Sequence, residues 1–208
     1  MNLLECLVAI ALGMLLLNPL LKTSADLLTK QIEYEKRQFL ISEAERAFEL
    51  IGRAIRMAGY RNIQAQQPNH RLEQFIQIQK KSGYQGSDTL IVQHELSNGV
   101  DFDCIGNALN HERTKSGFAR QGFLVERQAG LPKGVKVNGG SLICQSLDRQ
   151  GRLQNTTLMN GVNYLLIEEL ANSNTAYAQK LFKVSLGMTD GALINIDLQR
   201  TFSTRNLP

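Results

Sequence analysis

Few side chains in this sequence have the type and spacing for chemistry, and they lie far apart. Glu5 is the lone charge in an otherwise apolar opening, MNLLECLVAIALGMLLLNPLL. A carboxylate in such a run needs a partner, because an unpaired charge held away from water is strongly destabilising. Cys104 and Cys144 lie in the polar part of the chain. They could form one bridge, which requires an oxidising compartment, or stand as two buried thiols. Cys6 lies on the apolar run and reads as a small residue facing lipid or a neighbouring helix.

Asp101 and Asp103 flank Cys104 and raise the question of calcium. Counted from Asp101 as an EF-hand loop, Gly106 and Glu112 fall at the sixth and twelfth positions. Ile105 and Leu109 then occupy the fifth and ninth, where the loop needs oxygen ligands. Loop geometry is the better reading. His94-Glu95 lacks the second histidine of a metalloprotease helix and reads as the end of a strand. His70, His94 and His111 form no cluster with the cysteines, so no metal site is expected. With no nucleophile elbow, P-loop or dinucleotide fingerprint either, the sequence reads as non-enzymatic and without a cofactor.

Arg113, Lys115, Arg120, Arg127, Lys133 and Lys136 make one segment basic, offset by Glu126. Such a patch could touch the phosphates of nucleic acid. It lacks the interleaved aromatics of a single-strand binder, so a solvated basic face is preferred. The net charge of +4 is too small to argue for nucleic acid by itself.

The elements that must position these residues follow from periodicity. The chain has 208 residues, 43% of them hydrophobic, which suits a folded domain with an appendage. No Lys or Arg precedes Lys22 and no small-residue cleavage site follows Leu17, so the opening is not read as a signal peptide. Leu3 to Leu21 barely reaches the roughly 20 apolar residues of a membrane-spanning helix. Pro19 should kink a helix that runs through it. Beyond it Leu28, Ile32, Leu40, Ala44, Ala47, Phe48, Ile51, Ile55 and Ala58 recur mostly at helical spacing, and Gly59 stands where the helix should stop.

After Tyr60 the pattern becomes strand-like. Residues 75–79, 89–93, 122–127, 141–145, 164–168, 181–187 and 193–200 are the expected strands. Met188 to Ala192 reads as a hairpin connection with Asp-Gly in the turn. Pro132-Lys133-Gly134 and Asn138-Gly139-Gly140 read as further turns, and Gln64 to Asn69 and Asn172 to Thr175 as polar loops. The predicted class is α+β: a long kinked N-terminal helix packed by its C-terminal half on an antiparallel sheet. Residues 1–24 form the apolar segment, 25–60 the amphipathic continuation and 61–208 the β-rich head.

A lone Glu as fifth residue of an apolar helix that runs into an amphipathic half resembles the type IV pilins. Arg53-Ala54-Ile55-Arg56-Met57-Ala58-Gly59-Tyr60, Asp103-Cys104-Ile105-Gly106, Leu142-Ile143-Cys144 and the closing Arg205-Asn206 are similar to elements of the PilW-type minor pilins. The J-type pseudopilins of type II secretion are the nearest relatives of that group. The opening departs from the family's F-T-L-I-E, reading Met1-Asn2-Leu3-Leu4-Glu5.

The resemblance implies a type IV pilin fold and a structural subunit that primes pilus assembly, supporting adhesion, twitching motility and DNA uptake. It implies that Met1 is the N-methylated first residue after a prepilin peptidase removes a leader. It further implies that Glu5 pairs with the N-terminal amine of a neighbouring subunit, setting the register. Cys104 and Cys144 would then form a disulfide. The expected partners are other minor pilins, the major pilin, the inner-membrane assembly platform and, before assembly, membrane lipid. The head would lie in the periplasm and later on the pilus at the cell surface. Two rivals remain: a J-type minor pseudopilin, and a membrane-anchored module that binds DNA or another ligand.

Overall fold

The computed structural model describes residues 2–62, 75–114, 117–130, 132, 139–170 and 179–206. The chain divides into two compact units, Met1–Phe39 and Leu40–Pro208. Met1, the loops at Gln64–Asn69 and Asn172–Thr175 and parts of the two turns near Pro132 and Asn138 lie outside the described residues.

The first unit is helical. Helix α1 spans Leu3–Met57 and passes through Pro19 without interruption. Proline has no N–H for the carbonyl of Leu15, so one helical bond is lost there. One turn later the Thr23 hydroxyl donates to the carbonyl of Pro19 at 2.7 Å. The large apolar side chains from Leu3 to Leu21 are exposed, and so are Leu28, Ile32 and Phe39. The helical spacing that begins at Leu28 is buried from Leu40 onward, the part of the helix expected to pack on the sheet.

Within the second unit the end of α1 packs on a sheet. Leu40, Ala44, Ala47, Phe48, Ile51, Ala54, Ile55 and Ala58 are all buried on this helix end. Their spacing of three or four puts them on one face, and the alanines allow a close approach. Gly52 comes closest: a Cβ built there would lie 2.4 Å from the ring of Phe202. Gly59 ends the helix with φ +73°, the left-handed conformation that glycine adopts without strain.

Among the described residues nine strands form two sheets. β1 (Ile76–Gln79), β2 (Thr89–Glu95), β5 (Phe118–Glu126), β6 (Gly140–Leu147), β7 (Leu153–Leu170), β8 (Leu181–Thr189) and β9 (Asn195–Ser203) pair antiparallel in that order. β3 (Asp101–Phe102) and β4 (Ala108–Leu109) form a small hairpin inserted between β2 and β5. A single turn of helix, α2 (His111–Thr114), follows it. The inward residues Leu90, Val92, Phe123, Val125, Leu142, Val162, Leu165, Ile167, Phe182, Val184, Leu186 and Met188 form one core with the helix face. The molecule is thus an α+β protein, as its periodicity predicts.

Each of the seven expected strands is present, though several extend further. β7 is the largest departure, with 18 residues where five were foreseen. Its first half is polar, Leu153-Gln154-Asn155-Thr156-Thr157, and such a segment gives little alternation to read. It becomes strand by pairing with β6, while the second half pairs with β8. The turn between β8 and β9 is built on Asp190, whose carboxylate accepts the N–H groups of Ala192, Leu193 and Ile194 at 2.9–3.1 Å.

Candidate functional site

Two regions remain as candidates once the side chains with structural duties are set aside. The first is the apolar segment of α1. Nineteen residues from Leu3 to Leu21 rise about 28 Å, close to the roughly 30 Å thickness of a bilayer's hydrocarbon core. None of the most apolar window of this helix is buried within the chain. A long apolar N-terminal helix with all of this surface exposed is compatible with a membrane anchor.

Glu5 sits in the first turn of that helix. Asn2 accepts at its carbonyl from the N–H of Glu5 at 2.9 Å, and donates its own N–H to the Glu5 carboxylate at 3.1 Å. This is the reach-back half of a capping box, and the carboxylate also meets the positive end of the helix dipole. The arrangement holds Glu5 at the helix end, exposed and without a cation among the described residues.

The second region is the head. Cys104 and Cys144 are joined, with their Cα atoms 6.2 Å apart, as their resemblance implied. The bridge ties the β3–β4 hairpin to β6. Cys6 is free and exposed on the apolar helix.

The carboxylates beside the bridge are occupied by their own loop. Asp103 accepts the N–H groups of Ile105 and Asn107 at 3.1 and 2.7 Å and the Asn107 amide at 3.1 Å. Asp101 accepts the N–H and hydroxyl of Ser97 at 2.5 and 3.0 Å. Among the described residues no three His, Cys, Asp or Glu converge on a possible metal position. The loop-geometry reading of these two aspartates agrees with this arrangement.

His94 lies next to last in β2 and is 1% exposed. Its Nδ1 has no hydrogen-bond partner. Burial holds its pKa below the ordinary histidine range, and Arg53 adds to the effect while Asp101 opposes it. Its burial favours the neutral imidazole.

The basic segment does not form a continuous charged face in the described residues. Arg113 donates to the carbonyls of Ala108 and Leu147 at 2.9 and 2.6 Å, and lies 3.8 Å from Asp103. Arg127 donates to the carbonyl of Pro132 at 2.8 Å. Lys115, Lys133 and Lys136 lie outside the described residues.

Among the described residues two of the clefts on the head stand out. One, of about 710 Å³, lies between the small hairpin and the β6–β7 turn and is lined by amides and charges, including Asn107, Glu112, Arg149 and Gln154. The other, of about 540 Å³, runs between α1 and β9 and is lined by Glu45, Phe48, Glu49, Arg56, Arg200 and Phe202. In it Arg200 is bonded to Glu45 and its guanidinium lies 5.9 Å from the centre of the Phe48 ring. Sequence reading missed this groove. Its only signal is the charged Arg200 among the inward residues Ile196, Leu198 and Phe202 of a strand that otherwise alternates cleanly.

Comparison with known proteins adds no name. No family model matches the chain, no curated protein matches it, and no solved structure matches its fold.

Proposed function

We propose that this chain is a minor pilin of the PilW type, a non-enzymatic structural subunit that helps to start a type IV pilus. The observation that carries the reading is the exposed apolar helix with its one carboxylate at the fifth residue. An apolar surface of that length, exposed along its whole extent, calls for lipid or for other helices. Glu5 at its end demands a cation if that surface is buried in a bundle. An N-terminal amine on a neighbouring subunit is a cation at a matching height, and only one axial stagger brings the two together.

The bond between Glu5 and the Asn2 N–H fits this role. It keeps the carboxylate satisfied while the subunit waits in the membrane, and exchanging a neutral donor for an ammonium gives a stronger contact. The disulfide supports an oxidising location for the head. The ties on Arg113 and Arg127 weigh against a nucleic-acid role for the basic segment.

The test is Glu5→Ala in the native cell. Pilus number and incorporation of this subunit are expected to fall at least tenfold. Unchanged incorporation sinks the reading. Mass spectrometry of the native protein is expected to find an N-methylated Met1. Deletion that abolishes protein secretion but leaves piliation intact would assign the chain to a pseudopilus instead.

A further inference from the structure

β9 is the last strand of the sheet, and among the described residues nothing pairs with its far side. Its ladder to β8 is bracketed by two bonds: Thr204 N–H donates to the Lys180 carbonyl at 3.0 Å, and Asp190 N–H to the Ile194 carbonyl at 3.2 Å. Antiparallel strands alternate bonded and non-bonded pairs, and no register shift interrupts this one. The even-numbered residues of β9 therefore bond to β8. Asn195, Asp197, Gln199, Thr201 and Ser203 turn their N–H and C=O groups to the open edge. Among these groups, the Gln199 carbonyl already accepts from the Arg200 guanidinium at 3.2 Å.

Natural sheets blunt such an edge with proline, lysine, a bulge or brevity. β9 has nine residues, no proline, no lysine and no bulge. Its one inward charge, Arg200, is bonded to Glu45 and stays half-exposed. The other edges differ. β1 has four residues, and the first half of β7 is polar on both faces, which fixes no register. The second half of β7 is capped: Asp88 N–H, the Asp88 carboxylate, the Ser87 hydroxyl and Lys80 take up the backbone groups of Leu165 and Ile167. Among the described residues only β9 combines a long open edge with an apolar inward row and a groove beneath it.

We propose that β9 and the groove between it and α1 form a docking site for an extended segment of another polypeptide, added antiparallel to the sheet. Its inward side chains are apolar opposite Ile196, Leu198 and Phe202 and acidic opposite Arg200. Backbone groups in a row can be matched only by another extended backbone, which gives affinity, while the alternate side chains give selectivity. A second copy of this chain does not fit. Every antiparallel self-pairing that joins odd-numbered residues sets Arg200 against Ile194, Ile196, Leu198, the second Arg200, Phe202 or Thr204, so no second carboxylate reaches it.

The test uses the full-length chain in detergent and the peptide Thr-Val-Thr-Glu-Thr-Val-Thr-Val, whose glutamate falls opposite Arg200. Hydrogen exchange on the free chain is expected to show fast amides at Asp197, Gln199 and Thr201 and slow ones at Leu198 and Arg200. The peptide is expected to slow the odd-numbered set. N-methylation of the peptide's threonines should weaken binding at least tenfold, as should replacing its glutamate with lysine. Thr201→Pro, which removes one outward N–H and no bond to β8, should do the same with an unchanged melting temperature. The N-methylated peptide asks the same question without altering the protein. Failure to bind at millimolar peptide, equal binding of the N-methylated form, or slow odd-numbered amides in the free chain would each overturn the site. None of these readouts involves Glu5, so this inference and the pilus reading fail separately.

Discussion

Gly52 is the residue on which the approach of helix to sheet depends. Replacing glycine by alanine inside a helix ordinarily stabilises it by about 1 kcal/mol. Here the new Cβ would stand 2.4 Å from Phe202, whose ring lies 6.4 Å from that of Phe48. Displacing such a ring costs about 1–3 kcal/mol, so Gly52→Ala is expected to lower stability despite its better helix propensity. Denaturant unfolding measures the loss. Adding Phe202→Leu should recover part of it, and a coupling of zero between the two substitutions would contradict the contact. The bridge acts differently, through the unfolded chain. Its two cysteines are 40 residues apart, and in the chain-entropy model a loop of that length contributes about 4 kcal/mol. Cys104→Ser with Cys144→Ser should lower the melting temperature by roughly 10 °C, with the β3–β4 hairpin becoming the first part to exchange its amides.

At the scale of elements, what was legible in the sequence depended on local pattern. Apart from the polar first half of β7, the strands of the main sheet carry alternating or continuous apolar runs, and Gly59 marks the helix end that the backbone then shows. Asp190-Gly191 marked the last hairpin for the same reason, since its turn chemistry lies within five residues. The β3–β4 hairpin was not legible, because two strands of two residues have no period to detect. The groove was not legible either. It depends on Glu45 meeting Arg200 across 155 positions of sequence, a pairing created only when α1 lies beside β9. Asp88 belongs to the same class. Its carboxylate takes the N–H of Ile167 at 2.9 Å, the N–H of Lys81 at 3.0 Å and Lys80 Nζ at 2.9 Å. One side chain thus substitutes for the neighbouring strand that β7 lacks. Tyr164 makes the reverse kind of link, lying over Gly187 of β8 and donating to Asp197 of β9 at 2.7 Å. Burial first, and then that bond, pushes its phenol up to about 12.

For the whole molecule these buried groups set how stability responds to acid, and they act in separate windows. Burial keeps His94 neutral in the folded head, while in the unfolded chain it takes up a proton near its ordinary pKa of about 6.5. As pH falls below that value the unfolded chain binds the extra proton, so stability declines until the folded pKa is reached. Arg53 opposes the charged form and Asp101 favours it, and these are the charged groups that act on the ring. For Asp88, burial alone would raise the pKa. The bonds from Ile167, Lys81 and Lys80 outweigh it, and the net shift is downward. Its contribution is therefore complete above about pH 4, the ordinary carboxylate range, and disappears as pH falls through the lower folded value. The profile of melting temperature against pH should show a first decline as pH falls below about 6.5 and a second below about pH 4. His94→Gln is expected to flatten the first and leave the second. Asp88→Asn is expected to lower stability at neutral pH and to flatten only the second, since its amide cannot lose the charge that Lys80 meets. A His94→Gln profile that kept the full upper decline would show that another group governs the head's response to mild acid.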